Sequence, residues 1–189
     1  MARNVCLVLA LLLCVAGLAA AFGRCPNVNT VDDLDVSKYL GVWYEISTTP
    51  SSRKLFERNC YCTRANYTLL DPDTIRVDNT CNLGSIQGPE QDAVGKAVPD
   101  PENPAKLNVT FGPSPPAPYW IIILDPNYQY AVVWSCEVVV FPVEFMWVLS
   151  RTPSMNTTLY NNIISEAQKL TGYDVSNLIP TVQQGCTYN

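Results

Sequence analysis

The chain contains no histidine, so cysteine is the side chain with the strongest potential for nucleophilic or metal-binding chemistry. Without an imidazole, Ser-His-Asp and Cys-His catalysis and histidine metal ligation are excluded. A thiolate metal site at Cys60-Tyr61-Cys62 lacks both a histidine and a second close cysteine pair. The sequence therefore predicts no metal site and no cofactor.

The amino terminus has the pattern of a secretory signal peptide. Arg3 precedes an apolar run from Val5 to Leu18, and three alanines follow up to Ala21. We therefore predict cleavage near Ala21, a signal peptide over residues 1–21, and a secreted, extracellular protein. Removal of this segment takes away one base and no acid, which changes the net charge from −5 to −6. With no basic cluster, the mature chain is not expected to bind nucleic acid.

A second chemical possibility is a contact between an arginine and an indole. Gly41-Val42-Trp43 is matched, late in the chain, by Trp147 followed four residues later by Arg151. Because Gly41 has no Cβ, the Trp43 ring could seat where the chain enters a barrel. The Arg151 guanidinium could then cover the indole and keep its hydrogen bonds for loop carbonyls. We predict a structural plug of Gly41, Trp43 and Arg151, with the nearby Glu45 a solvated strand residue.

The intervening sequence favours short strands separated by turns. Asp71-Pro72-Asp73 and Asp125-Pro126-Asn127 predict tight turns, and the proline-rich segments 99–104 and 112–118 predict loops. Eight strands in meander order predict an all-β fold, an antiparallel up-and-down β-barrel with room for one small ligand. The predicted strands are residues 42–48, 62–70, 74–80, 84–98, 106–111, 119–124, 129–139 and 144–150.

A helical pattern follows the last strand. Asn156 is a plausible N-cap, Gly172 a stop, and Leu159, Ile163, Ala167 and Leu170 recur at helical spacing. This predicts one amphipathic C-terminal α-helix packed on the outside of the barrel. No linker or repeat divides the remainder, so residues 22–189 are predicted to form a single domain.

These motifs together resemble the lipocalins, and most closely the branch that contains apolipoprotein D and the bilin-binding proteins. The likeness covers essentially the whole mature chain. The second family signature, Thr-Asp-Tyr, departs here to Leu124-Asp125-Pro126. The matching stretches are residues 24–27, 38–46, 65–67, 104–107, 117–121 and 135–136.

Six cysteines remain after the signal peptide, and they are expected to form three disulfides. The resemblance implies Cys25–Cys136 and Cys62–Cys186, which leaves Cys60 for Cys81. Counting from a two-residue turn at Pro72-Asp73 instead places Cys81 opposite Arg64, which slightly favours Cys62–Cys81 with Cys60–Cys186. Both pairings stay open at this point.

Strand alternation and the resemblance together give a set of candidate ligand-binding residues. Aromatic walls with a few polar groups suit a lipid, steroid, fatty acid or retinoid. The resemblance places the positions of Tyr67, Asn79 and Trp147 in or near the pocket. The full set is Tyr67, Asn79, Tyr130, Trp134, Phe145, Trp147 and Leu149.

The sequence also predicts surface features. Asn66, Asn108 and Asn156 each begin a glycosylation sequon. Residues 138–143, at the expected open mouth, carry no charge, and we predict that Val139, Phe141 and Val143 form an apolar lip that touches a membrane or lipoprotein. The alternative is that Val138 and Val140 extend the strand and pack inward.

The resulting hypothesis is a secreted, glycosylated carrier of a small hydrophobic ligand, without enzymatic activity. One alternative is a carrier of a bilin pigment. Another, less favoured, is a prostanoid isomerase that uses Cys60 or Cys62, which would require a free thiol with a lowered pKa.

Overall fold

The computed structural model describes residues 23–138 and 140–188. The predicted signal peptide lies outside them, as does Val139. Three short or medium helices accompany nine strands within this part of the chain. The strands are β1 (Gly41–Thr48), β2 (Cys60–Asp71), β3 (Thr74–Leu83), β4 (Glu90–Pro99), β5 (Lys106–Phe111), β6 (Ala117–Leu124), β7 (Tyr130–Val138), β8 (Pro142–Ser150) and β9 (Ile179–Pro180); the helices are α1 (Val36–Tyr39), α2 (Pro50–Leu55) and α3 (Thr157–Thr171), followed by a 3₁₀ turn (Val175–Asn177).

Strands β1 to β8 form a closed antiparallel barrel. Each strand pairs with the next, and β1 pairs with both β2 and β8. The predicted fold class is confirmed. Most strand boundaries differ from the predicted ones by one to three residues. The largest difference is at β4, which starts at Glu90 rather than at residue 84, because residues 84–89 form a loop. The predicted loop over residues 112–118 also ends early, since β6 starts at Ala117. Pro142 begins β8, a position at which a strand can lack an N–H donor.

The C-terminal helix begins and ends where the sequence predicts. The Asn156 side chain accepts hydrogen bonds from the second and third residues of α3, and Gly172 ends the helix with φ +75°. Ile163 and Ala167 are buried against the outer wall of β6–β8. Leu159 and Leu170, predicted to share that face, stay partly exposed. Among the described residues, no helix is long and apolar enough to cross a membrane.

Cross-strand partners decide which face of β7 and β8 lines the barrel. Trp147 lies opposite Val133, and both belong to the inner apolar cluster. Trp134 lies opposite Met146, and both belong to the outer cluster beneath α3, as Tyr130 does. The prediction that Tyr130 and Trp134 line the pocket is therefore wrong. Both faces of β7 are apolar because one faces the interior and the other faces the helix, so hydropathy could not separate them.

Near its open end the barrel wall is completed by the C-terminal tail. β1 has a bulge between Glu45 and Ser47, and beyond it Ser47 and Thr48 pair with β9 instead of β2. The Cys62 N–H donates to the Val182 carbonyl (2.9 Å), so the tail contacts β2 on its other side. The tail thus fills the gap between β1 and β2.

The described residues form three disulfides, Cys25–Cys136, Cys60–Cys81 and Cys62–Cys186. This is the pairing that the resemblance implied. The turn-counting alternative fails because the register of β2 against β3 shifts twice, once between Leu69 and Asp71 and once between Tyr61 and Arg64. Cys62 lies at the second shift in a left-handed conformation (φ +57°), and its sulfur bonds to the tail.

Candidate functional site

The closed end of the barrel is sealed by Trp43 and Arg151. The guanidinium lies 3.8 Å from the centroid of the indole, which is fully buried. Its nitrogens donate to the carbonyls of Lys38 (2.7 Å), Val42 (2.8 Å) and Tyr128 (3.2 Å). The guanidinium is therefore held by neutral carbonyls and a ring face.

Gly41 is needed at the plug for a different reason than the sequence suggested. A Cβ there would lie 3.5 Å from the Nη1 atom of Arg151, which is an ordinary contact. However, Gly41 has φ +89°, a backbone conformation that other residues rarely adopt. The backbone turn into β1, rather than the space beside the indole, requires glycine.

Above the plug, the barrel interior is apolar. Tyr67 and Leu149, both predicted ligand-binding residues, belong to its buried cluster. A small cavity of about 10 Å³ lies within this cluster, close to the lower limit for a single water molecule. The residues that line the cavity are Tyr39, Tyr67, Ile75, Val77, Ala97, Leu107, Val109 and Tyr119.

The hydroxyl groups of three tyrosines form a hydrogen-bonded chain inside the barrel. The Tyr119 hydroxyl oxygen lies 3.0 Å from that of Tyr39 and 2.8 Å from that of Tyr67. Burial raises the pKa of Tyr67 to about 12, and it raises the pKa values of Tyr39 and Tyr119 well above the ordinary range. All three groups therefore remain neutral hydroxyls at physiological pH.

Toward the open end, aromatic rings face the interior and retain contact with solvent. Phe145 stacks on Trp147 with ring centroids 6.0 Å apart, and Phe56, after α2, tilts against Phe145 at 5.2 Å. Trp147, Phe111 and the ring of Tyr119 are only partly buried, although all three pack against the inner cluster. Inward-facing rings with accessible surface line a space that an apolar molecule could enter.

Two further positions shape this space. Asn79 lies opposite Ala65, on the same face as the buried Tyr67–Val77 pair, and therefore faces inward. Gly95 lies opposite Phe111, where a Cβ would come within 2.7 Å of the ring. The absence of a side chain at Gly95 thus gives the Phe111 ring its place against the wall.

A buried charge cluster lies at the junction of β1, α2 and the tail. Arg53 donates to the carboxylate of Glu45 (3.0 Å) and lies 3.5 Å from that of Glu57. The Thr181 hydroxyl also donates to Glu45, and the Trp147 indole N–H donates to Glu57 (2.9 Å). The cluster therefore connects the α2 segment and the tail to an aromatic residue of the candidate pocket.

The expectation that Glu45 is solvated is wrong, since the residue is 2% exposed. Burial raises the pKa of its carboxyl well above the ordinary value, and repulsion from Glu57 adds to this, against the opposing effect of Arg53. Alternation along β1 places Glu45 on the same face as Trp43, and the bulge after it allows the tail to cover it.

The predicted surface residues lie in different environments. Asn108 and Asn156 are exposed, whereas Asn66 is half-buried, and it lies opposite Val42 and Asp78 on the outer face. The exposed lip residues are Val138 (51%), Val140 (74%) and Phe141 (63%), while Val143 is half-buried.

Val138 does extend β7, as the alternative predicted, but Val138 and Val140 are exposed, so the predicted inward packing is wrong. The predicted exposure of Val143 is wrong as well. Val139 lies outside the described residues. Leu55 and Phe56, after α2, are also exposed (60% and 64%) and lie at the same open end.

Sequence reasoning missed several residues of this site. Tyr119 belongs to a run, Tyr119 to Ile123, that is apolar on both faces, so its direction could not be assigned. Its direction follows from its cross-strand partner: Tyr119 lies opposite Leu107, which is buried in the inner cluster, so both side chains face the interior. Arg53 and Glu57 lie in the connection between β1 and β2. The inward–outward alternation of strand side chains does not apply there, so it could not predict their burial.

The chain is similar to known proteins along most of its length. The family model described as a lipocalin-like domain matches residues 34–183. Mouse (Mus musculus) apolipoprotein D is 37% identical over 171 residues, which cover 87% of this chain and 85% of that protein. A putative lipocalin of Acanthamoeba polyphaga mimivirus is 36% identical over 161 residues, with coverage of 81% and 87%.

Solved structures show the same fold at lower identity. Apocrustacyanin C1 superposes with a TM-score of 0.73 at 23% identity, covering 88% of this chain and 93% of that one. Insecticyanin from the tobacco hornworm Manduca sexta gives a TM-score of 0.69 at 24% identity, with coverage of 88% and 91%.

Proposed function

Since this chain belongs to the lipocalin family, we propose that it binds a small hydrophobic molecule inside its barrel and carries it outside the cell. The observation that carries the proposal is the partly exposed Trp147 ring, which faces the interior between the buried apolar floor and the open end. A plug at one end and an open mouth at the other provide a single entrance. The ligand class is a lipid, steroid, fatty acid or retinoid.

The test is binding of an uncharged fluorescent probe, N-phenyl-1-naphthylamine, followed by quenching of tryptophan emission. Trp147→Ala should weaken binding about tenfold or more, the usual scale for loss of a buried aromatic contact. Trp120→Ala is the matched control, because Trp120 is a half-buried tryptophan of the outer cluster. Equal affinity in both variants would place the site outside the barrel.

Export is supported by the disulfides, which form and persist in oxidising compartments. The three sequon asparagines, Asn66, Asn108 and Asn156, are the proposed glycan attachment sites, and the exposed Asn108 side chain is the most accessible of the strand sites. Protein secreted from eukaryotic cells should lose mass on treatment with an N-glycosidase. Asn108→Gln should lower the mass of the untreated protein by one glycan.

An enzymatic role is disfavoured because the described cysteines all form disulfides, so neither Cys60 nor Cys62 offers a free thiolate. A bilin carrier remains the alternative ligand assignment. Mass spectrometry of small molecules extracted from the native protein distinguishes a lipid-like ligand from a bilin by mass. A bound tetrapyrrole would in addition absorb visible light.

We further propose that the lip, now defined as Val138, Val140 and Phe141, contacts a lipid surface during transfer of the ligand. Because the net charge is negative, this contact would be hydrophobic and insensitive to salt. Wild-type protein should float with neutral phosphatidylcholine liposomes, and Val140→Ser/Phe141→Ser should not.

The control for this experiment is Val94→Ser/Val98→Ser, which alters two exposed valines of β4. Flotation that is absent in the wild type, or unchanged by the lip substitutions, would assign the lip to ordinary barrel wall.

A further inference from the structure

The indole ring of Trp147 has a single polar atom, and Glu57 accepts a hydrogen bond from it. The indole N–H donates to the Oε1 atom of Glu57 at 2.9 Å. A second contact of the ring is apolar, since it stacks on Phe145 with an interplanar angle of 14°. Stacked rings tolerate a wide range of offsets, whereas a hydrogen bond from an N–H is directional. The orientation of the indole therefore depends on Glu57.

Glu57 is itself held in place from several sides. Its Oε1 atom also accepts a hydrogen bond from the Ser52 hydroxyl (3.3 Å), and its main-chain N–H donates to the Ser52 carbonyl (3.3 Å). Arg53, which lies 3.5 Å from Oε2, donates in turn to the Thr181 hydroxyl of the tail (2.7 Å). The acceptor for Trp147 is therefore anchored to both α2 and the tail.

The position of Glu57 does not require an acid for packing. Its Oε2 atom is buried and forms no hydrogen bond within the described residues, which costs free energy. Arg53 would keep its ion pair with Glu45 (3.0 Å) if residue 57 were apolar, so the cation does not depend on Glu57 alone. The hydrogen bond to Trp147 is thus the contact that an apolar side chain of similar size could not supply.

The segment that carries Glu57 also contacts the stacked rings directly. The ring of Phe56 lies 5.2 Å from that of Phe145, between ring centroids. Trp147, on the other side of Phe145, faces the interior and is only half-buried. One short segment therefore positions both aromatic neighbours at the entrance to the candidate pocket.

From these contacts we propose that Glu57 is a positioning residue of the ligand site, which fixes the Trp147 indole and thereby favours flat, rigid ligands over flexible chains. A flat ring system gains most from a ring whose plane is already fixed, because no further side-chain freedom is lost on binding. A flexible chain can adapt to either orientation of the indole. The inference rests on the proposed function, because the ligand must first occupy the interior.

The experiment compares a flat ligand, 1-aminoanthracene, with a flexible one, 1-dodecanol, which is measured by displacement of the first. Glu57→Leu should weaken 1-aminoanthracene binding about threefold to tenfold, the scale of one lost hydrogen bond, and dodecanol binding by less than about twofold. Glu57→Gln, whose amide oxygen can replace Oε1, should stay within about twofold of wild type for both. The matched control is Glu90→Leu, which removes an exposed acid paired with Arg64.

A double-mutant cycle tests whether Glu57 acts through the indole N–H. Trp147→Phe keeps an aromatic ring but removes the donor, so Glu57→Leu in that background should cause less than about a twofold further loss. A loss as large as in the wild-type background would overturn the positioning role. Equal losses for 1-aminoanthracene and dodecanol would overturn the preference for flat ligands.

An NMR measurement on the wild type keeps the test independent of the folding of the variants. The indole N–H of Trp147 should exchange with solvent more slowly than that of Trp120, the other half-buried tryptophan, because its hydrogen bond to Glu57 protects it. Comparable exchange rates would overturn the role of Glu57 and leave ligand binding intact. Absence of binding for both ligands, with the wild-type protein folded, would overturn the proposed function itself.

Discussion

The two ends of the barrel use arginine in opposite ways. At the closed end, Arg151 covers an indole and donates to four neutral carbonyls, with no carboxylate among these contacts. At the open end, Arg53 lies between two carboxylates, Glu45 and Glu57, of which the first is almost fully buried. The carbonyl partners of Arg151 do not titrate, whereas the carboxyl partners of Arg53 do. The contacts of the open end therefore depend on pH, and those of the closed end do not.

The plug therefore has a structural role, whereas the charge cluster at the open end can change with protonation. The Arg151 side chain of the plug donates to carbonyls of α1, the start of β1 and the turn at Tyr128, so it ties these segments together at one end of the barrel. The charge cluster connects α2, β1 and the tail, and it reaches the candidate pocket through the Trp147–Glu57 hydrogen bond. A change of protonation at the open end can therefore reach the ligand site, which a change at the plug cannot.

The largest expected effect comes from removing the cation of the charge cluster. Arg53→Gln leaves the buried acidic side chains of Glu45 and Glu57 without their arginine, so the free energy of unfolding at pH 7 should fall by about 3 kcal/mol. Urea denaturation measures this change. Lys54→Gln, on the adjacent exposed position of α2, should alter stability by less than about 0.5 kcal/mol. If the two variants match, the cluster contributes no more than a surface charge and the contrast between the ends fails.

A smaller effect is expected at the plug. Arg151→Ala removes the contact with Trp43 and leaves carbonyls without a donor, so stability should fall by about 2 kcal/mol. Affinity for an apolar probe should stay within about twofold of wild type, because the plug lies below the pocket. Arg76→Ala, which breaks an exposed ion pair with Asp78, is the control, with an expected loss below about 0.5 kcal/mol. Lost binding without lost stability would contradict a structural plug.

The smallest effect is a change in pH dependence. Because the pKa of Glu45 is raised in the folded state, the folded protein holds a proton that the unfolded chain releases above the ordinary value of 4.5. Its contribution to stability is therefore present below pH 4.5 and is lost as the pH rises through the raised pKa. Glu45→Gln should remove this component, so the stability of the variant relative to wild type should rise as the pH increases above 4.5.

The measurement for Glu45→Gln is the difference in unfolding free energy between variant and wild type at several pH values. Arg151→Lys, measured over the same range, should show no comparable slope. A difference that is flat with pH would indicate that Glu45 has the same pKa in the folded and unfolded states, and the two ends would then respond alike.

Much of the fold could be predicted from local sequence. Asn156 and Gly172 mark the ends of α3, because capping side chains and left-handed glycines act within a few residues. The turn at Pro72-Asp73 was predicted for the same reason. Tyr67, Trp147 and Leu149 were assigned to the interior, and the structure places them there.

The predictions that failed depended on a partner distant in the chain. The faces of Tyr130 and Trp134 depend on the position of α3, and the burial of Glu45 depends on a tail more than a hundred residues away that pairs with β1 after a bulge. The hydrogen-bonded hydroxyl groups of Tyr39, Tyr67 and Tyr119 come from α1, β2 and β6. Alternation along one strand cannot report any of these.

The sequence alone determined the strand order, the terminal helix, the glycine at the entrance to the plug and the absence of imidazole chemistry, because each depends on residue type or short-range spacing. Only the tertiary structure decided which face of each apolar strand lines the barrel, how Cys62 turns toward the tail, and which carboxylates share Arg53. The physical reason is that bulges and register shifts move whole strands by one residue, and a shift of one residue reverses every side chain that follows.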